Sequence, residues 1–159
     1  MNRIIICGPS CAGKTFLRQK LEKRGFHFDI SYTSRTQRPE EINGVHYNFL
    51  SKKEFEEKIE KNYFYEYVQY NGDYYGTGMI EWKNSDGFIM ETDGIKHINK
   101  EDRKNSFIIF LNPPLKIRTE RMKKERKWNN KEIIVRILTD KNKFKDFSDY
   151  DLIISDSNF

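Results

Sequence analysis

Only two cysteines occur in the 159 residues, Cys7 and Cys11, four positions apart. A disulfide framework needs more of them and an oxidising compartment, so reduced thiols are expected. No histidine or second cysteine pair lies nearby, which argues against a metal site there. Long apolar runs are missing too. Runs such as Phe107 to Leu111 are a handful of residues, against the ~20 that cross a bilayer. The opening Met1-Asn2-Arg3, followed by Ile4-Ile5-Ile6-Cys7, lacks the longer apolar stretch and small-residue cleavage site of a secretory leader. It reads instead as a buried first strand. With no repeat, low-complexity tract or long linker, a single cytoplasmic domain is expected. The many Lys, Asn and Ile hint at an AT-rich genome, and a viral one would place the protein in the host cytoplasm.

The formal net charge is +5. Much of it lies between Lys116 and Lys127, where Lys116, Arg118, Arg121, Lys123, Lys124, Arg126 and Lys127 face only Glu120 and Glu125. Such a surplus suits a polyanion, either a nucleoside triphosphate or nucleic acid. It equally suits a solvated helix face. Composition leaves these open.

The pattern along the chain is that of an α/β domain with a parallel sheet. Arg3 to Cys7 is a β-branched run, and Lys14 to Lys23 has a helical period with Phe16, Leu17 and Leu21 as its apolar face, ended by Gly25. Phe26 to Ile30 alternates like a second strand. From Ser31 to about Tyr75 polar turns dominate. Ser51 with Glu54 forms a capping box for a helix to Lys61, and Tyr63 to Tyr75 reads as a hairpin turning at Asn71-Gly72. Phe88-Ile89-Met90, Phe107 to Leu111 and Leu152-Ile153-Ile154 are compact apolar runs of the kind that form buried parallel strands. A long basic helix follows Asn112-Pro113-Pro114.

Gly8-Pro9-Ser10-Cys11-Ala12-Gly13-Lys14-Thr15 matches G-x-x-x-x-G-K-[ST] at every fixed position, between an expected strand and an expected helix. Glycines let backbone amides approach phosphates, and the helix N-terminus adds unpaired N–H groups and partial positive charge. Gly8, Ser10, Cys11, Ala12 and Gly13 are thus expected to cradle ATP. Lys14 is expected to reach the β- and γ-phosphates, and the Thr15 hydroxyl to ligate Mg²⁺.

Beyond that loop, Ser31-Tyr32-Thr33-Ser34-Arg35-Thr36-Gln37-Arg38-Pro39 and Glu41-Ile42-Asn43-Gly44-Val45-His46-Tyr47-Asn48-Phe49 resemble the GMP-binding segment of guanylate kinases. Glu66, with Asn71-Gly72-Asp73-Tyr74-Tyr75-Gly76-Thr77, is similar to the second half of that site. The resemblance runs from Arg3 to about Asp156 and is most specific up to Thr77. It implies a P-loop kinase fold: a parallel central sheet flanked by helices, a small mixed β/α GMP-binding insertion and a helical lid. The implied bounds are a core of about 1–30, 85–115 and 138–159, an insertion of about 31–84 and a lid of about 116–137.

It also implies the reaction, transfer of the γ-phosphoryl of ATP to GMP or dGMP with Mg²⁺. Arg35 and Arg38 are suited to clamp the acceptor phosphate with bidentate forks. Tyr47 and Tyr75 can add phenolic hydrogen bonds. The family pattern assigns Glu66 to the N1–H and N2–H₂ edge of guanine, Ser31 and Thr77 to its O6, Glu41 to supporting the arginines, and Gly76 to the GMP site as well. Asp93 is matched to an acidic residue serving the metal or the acceptor. Arg121, Arg126 and Arg136 are matched to lid arginines that neutralise charge in the transition state. Neither nucleic acid nor membrane is expected as a partner, and monomer or dimer is left open. Rival readings are a kinase for another nucleotide or a sugar phosphate, a non-catalytic binding module of the same fold, and a nucleic-acid-binding domain. Binding modules generally lose the Lys and Thr that Lys14 and Thr15 supply.

The chain departs from the family pattern at several places. Cys11 replaces a usual Gly, placing a thiol beside the phosphates and suggesting oxidation sensitivity. Gly94-Ile95-Lys96 follows Asp93 where Gln-Gly is usual, Arg126-Lys127-Trp128 stands for Arg-Gly-Thr, and Ser155-Asp156 for Asn-Asp. The sequence stops at Phe159 without the family's closing helix.

Overall fold

Ile5, Ile6 and Cys7 are fully shielded from solvent, which a β-branched run achieves by lying at the centre of a sheet covered on both faces. In the computed structural model, which describes residues 3–156, this run is strand β1 (Arg3–Cys7). Met1-Asn2 and the chain end up to Phe159 lie outside the described residues. β1 pairs in parallel with β6 (Gly87–Ile89) on one side and β7 (Ser106–Leu111) on the other, and β8 (Leu152–Ile154) adds beyond β7. The resulting order β6-β1-β7-β8 is an all-parallel sheet. Its strands end at one edge, which puts the loops after β1 and β6 side by side, as ligand-binding α/β sheets do.

One face of the sheet is packed by Phe88, Met90, Ile95, Ile108 and Phe110, with Phe144 and Phe147 laid against them. The other is packed by Ile6, Phe28 and Leu111, against Leu17 and Leu21 of α1 (Lys14–Glu22). Phe16 differs from its expected place on that face. It is half exposed, with the Lys20 ammonium 4.7 Å from its ring centre. Phe26 to Ile30 also differs. It forms one isolated bridge, Phe28 to Gly87, rather than a strand.

The inserted segment builds a second sheet, order β3-β2-β5-β4, from β2 (Tyr32–Thr33), β3 (Asn48–Phe49), β4 (Phe64–Tyr70) and β5 (Asp73–Gly78). The β4–β5 hairpin turns at Asn71 and Gly72, both at positive φ (51° and 81°), as a two-residue turn between twisted strands requires. Helix α2 (Lys52–Glu60) opens with the reciprocal Ser51–Glu54 capping box and buries Phe55 against Phe64 and Tyr74. Short helices α3 (Met79–Asn84), α4 (Thr92–Lys96) and α5 (Lys100–Lys104) fill the connections to and from β6.

The expected long basic helix is two helices, α6 (Leu115–Lys124) and α7 (Asn130–Phe144). Lys127 at φ 54° breaks the first, and a capping box of Asn129 and Glu132 starts the second. α7 is continuous from the lid side to the core, where Phe144 stacks on Phe110 at 5.4 Å. The expected lid boundary near 137 therefore falls inside one helix. No helix among the described residues is long and apolar enough to cross a membrane.

Candidate active site

The loop leaving β1 carries Gly8 at φ 152° and Gly13 at φ 102°. A side chain at Gly8 would place its Cβ 2.4 Å from the Leu111 carbonyl oxygen, so close approach of the loop to β7 demands glycine there. Ala12 is buried beneath the loop, and its N–H closes the turn on the Pro9 carbonyl at 3.2 Å. Lys14 folds back, its Nζ donating to the Gly8 and Pro9 carbonyls at 2.6 and 3.1 Å. Burial pushes its pKa down, and the Glu91 and Asp140 carboxylates partly oppose that shift. Cys11 adopts φ 58°, a conformation costly for a residue with a Cβ. Burial raises its thiol above the ordinary range, which works against the oxidation sensitivity expected from sequence because the thiolate is the reactive form. Cys7 is held up more strongly, at about 12.

This loop forms one wall of a cleft of about 410 Å³, and the inserted segment forms the other. From the loop side come Ser10, Cys11, Lys14 and Thr15; from the insertion come Ser31, Arg35, Arg38, Glu41, Tyr47 and Tyr75. Glu41 is buried and receives both Arg35 Nη1 (3.0 Å) and Nη2 (2.7 Å), as well as the Arg38 backbone N–H (2.8 Å). Against the effect of burial, the Arg35 hydrogen bonds, the Arg38 N–H and the charge of both arginines hold its carboxyl below the usual range. This bidentate pairing fixes Arg35 before any ligand arrives. The Arg35 guanidinium also lies 5.6 Å from the Tyr47 ring centre. Burial lifts the Tyr47 phenol to about 12, so it remains a proton donor.

A smaller recess of about 50 Å³ continues from the cleft, lined among others by Glu66, Gly76, Ser31 and Glu91. Glu66 is buried, and burial lifts its carboxyl to about 7 against the pull of the Thr77 hydroxyl, which donates to it at 2.9 Å. Gly76 lies on the neighbouring strand, where a Cβ would meet the Glu66 carbonyl at 2.9 Å. Gly94 performs the same service from α4, since its Cβ would meet the Glu66 carboxylate at 2.6 Å. The two hydroxyls that the sequence assigns to a carbonyl of the base are both donated to carboxylates, Thr77 to Glu66 and Ser31 to Asp29.

Other residues sit differently from expectation. Asp93 is exposed on α4, bonded to Lys96 at 2.8 Å, and does not line the cleft. Glu91, two residues earlier in the turn between β6 and α4, takes that place. It lines both cavities, is paired with Lys143, and is kept ionised by Lys14 and Lys143. Of the three lid arginines, Arg126 and Arg136 line the cleft, whereas Arg121 donates to the Cys11 carbonyl at 3.2 Å. Arg126 bonds Glu40 across the cleft mouth at 3.2 Å.

Sequence reasoning did not single out Asp140. Its carboxylate receives the Ser10 N–H (2.9 Å), the Ser10 hydroxyl (3.2 Å) and Arg118 Nη1 (3.3 Å). Arg136 bonds Ser10 Oγ through Nε and the Tyr70 hydroxyl through Nη1 at 2.8 Å. One buried carboxylate thus ties the phosphate loop to α6 and α7, and Arg136 extends the tie to β4. Arg118, part of the basic run between Lys116 and Lys127, is buried in this network. Replacing Asp140 with Ala strands that guanidinium without a counter-charge, and the expected loss in urea unfolding is about 3–5 kcal/mol. A loss below about 1 kcal/mol would mean that Arg118 regains water or another partner.

The guanylate kinase family model matches residues 1–159. A guanylate kinase of Aster yellows witches'-broom phytoplasma is 35% identical over 95% of this chain and 76% of its own length. One from Vibrio parahaemolyticus is 33% identical over 98% of this chain and 80% of its own. The crystal structure of guanylate kinase from Anaplasma phagocytophilum superposes with a TM-score of 0.73 at 18% identity, covering 99% of this chain and 77% of that one. At that identity the superposition speaks for the fold, while the family match and the two sequence relatives carry the assignment: the chain belongs to the guanylate kinase family.

Proposed function

We propose that the protein transfers the γ-phosphoryl of ATP to GMP or dGMP, giving ADP and GDP or dGDP. The observation that carries this reading is a single cleft with two kinds of wall. Lys14 and the phosphate loop stand on one side, an arginine pair braced by Glu41 stands on the other, and a buried carboxylate, Glu66, lies in the adjoining recess.

The acceptor is a phosphate oxygen, already anionic near neutral pH, so no general base is needed. Catalysis then reduces to positioning and charge neutralisation. Arg35, Arg38, Tyr47 and Tyr75 hold the acceptor phosphate, while Lys14 leaves the Gly8 and Pro9 carbonyls for the phosphates of ATP. Arg126 and Arg136 supply positive charge from the lid side, and Arg121 acts on the loop backbone through Cys11. Closing the cleft excludes water, the competing acceptor. Thr15, at the cleft wall, and the ionised Glu91 offer the hard oxygen donors that Mg²⁺ accepts alongside waters and phosphates. When bound, the ion would supply charge neutralisation for the phosphates. Asp93 has no such place in this arrangement.

The direct test measures ADP release with ATP, Mg²⁺ and each nucleoside monophosphate in turn. Activity confined to GMP and dGMP is expected. Transfer only to another acceptor would retain the phosphate loop and overturn the guanine assignment.

A further inference from the structure

Asp29 is an acidic residue in an otherwise largely apolar stretch, and it is 3% exposed at the wall of the cleft. Its carboxylate receives the Ser31 hydroxyl at 2.7 Å, while its backbone N–H is bonded to the Gly87 carbonyl. The charged and titratable groups facing it are Arg18 of α1, Glu81 of α3, Glu66 of β4, and Tyr47. Burial outweighs Ser31 and Arg18 and lifts the Asp29 carboxyl to about 7.

The consequence lies in what Ser31 can offer. A hydroxyl has one proton to donate. While Asp29 is ionised it holds that proton, and Ser31 turns only lone pairs toward the recess. A carbonyl oxygen on a bound base would then meet another acceptor. With a proton on Asp29, the carboxyl O–H donates to Ser31 Oγ and the Ser31 hydroxyl is released to donate onward.

We propose that Asp29 is a positioning residue of the acceptor-base site, a proton-holding switch that sets whether Ser31 presents a donor or an acceptor to the base. This rests on the guanine reading above. Guanine presents O6 beside N1–H, so it needs Ser31 donating and Glu66 accepting. The binding state therefore carries one proton over the two carboxylates, placed on Asp29. Like-charge repulsion between Glu66 and Asp29 favours such a singly ionised pair, and the pH limits read in solution belong to the pair.

The test is the pH course of KM and kcat for GMP between pH 6.5 and 8.5, above the ~6 at which the phosphate itself titrates. In the unmodified protein KM is expected to rise about tenfold per pH unit once Asp29 ionises, because only the protonated fraction is competent. In Asp29→Asn the amide Nδ2 donates to Ser31 at every pH, so KM is expected to show no rise across the range, falling only where Glu66 gives up its own proton. Ser31→Ala is expected to give a raised KM that likewise does not climb with pH. The kcat values of all three should follow one pH course.

A rise in KM that survives in Asp29→Asn or in Ser31→Ala overturns the proposal, as does a level KM in the unmodified protein. If Asp29→Asn does not fold, titration calorimetry of GMP binding at pH 8 in two buffers of different ionisation enthalpy decides. Uptake of close to one proton supports the switch, and no uptake overturns it. An enzyme inactive with GMP at every pH would instead overturn the guanine assignment.

Discussion

Replacing Lys14 with Met is expected to lower kcat for phosphoryl transfer about 10³-fold while leaving the chain folded. The ammonium lies in the phosphate loop, bonded to the Gly8 and Pro9 carbonyls. On the proposed reading it follows negative charge onto the bridging oxygen between the β- and γ-phosphates. Loss of one preorganised donor at developing charge typically costs 10²–10³ in rate, and a full positive charge in a desolvated loop belongs at the upper end. The effect should appear in kcat more than in KM for ATP, because the backbone amides of the loop and the N-terminus of α1 still bind the phosphates. Methionine keeps the aliphatic stem, and removing a charge that burial already disfavours should not unfold the protein. Single-turnover transfer in a rapid-quench instrument, with circular dichroism as the control for folding, checks both halves. A kcat within tenfold of the unmodified enzyme would remove Lys14 from the transition state.

What was legible in the sequence was legible because it is local. The phosphate loop is contiguous, so its eight residues announce both the strand before and the helix after. The Ser51–Glu54 capping box and the Asn71-Gly72 turn are also set by neighbours, and both occur where expected. Features decided by distant partners could not be read in this way. Asp140 acquires meaning only from Ser10, 130 positions away, and from Arg118. Arg118 is indistinguishable in sequence from the other cations of its run, and only Asp140, 22 positions away, sets it apart. Glu91 and Asp93 are equivalent in a string of letters. α4 starts at Thr92, and this turns Asp93 outward to Lys96 while Glu91 stays in the turn before it, beside Lys14. Phe16 fits an apolar period but stays half exposed, because the face of α1 against the sheet is filled by Leu17 and Leu21. Asp29 did leave a trace, a single carboxylate among Phe26, Phe28 and Ile30, but alternation assigns it with the exposed His27 to a solvent face, whereas it is buried beside Phe28.

Glu66→Gln is expected to reduce kcat/KM for GMP about 10³-fold and to narrow the preference for GMP over AMP by a similar factor. A carboxylate accepts N1–H and N2–H₂ of guanine together. Glutamine replaces one of those acceptors with an N–H₂ donor that faces another donor. Discrimination built on buried hydrogen bonds reaches 10⁴ or more when a partner is lost, and here one of two bonds is kept. The site gives little room for adjustment, since Gly94 and Gly76 are packed too closely against Glu66 to admit even a methyl group. The same substitution should stabilise the fold at pH 8. The Glu66 carboxyl titrates at about 7 in the folded chain against 4.5 as a free side chain. Between those values the folded chain holds a proton that the unfolded chain has lost, so stability falls as pH rises through this window. Glutamine carries no charge and escapes that loss. A variant with a higher Tm at pH 8 and a lower kcat/KM for GMP would show that the buried carboxylate is kept for recognition at the expense of stability. Unchanged GMP selectivity in a stable Glu66→Gln protein would place base reading elsewhere in the recess.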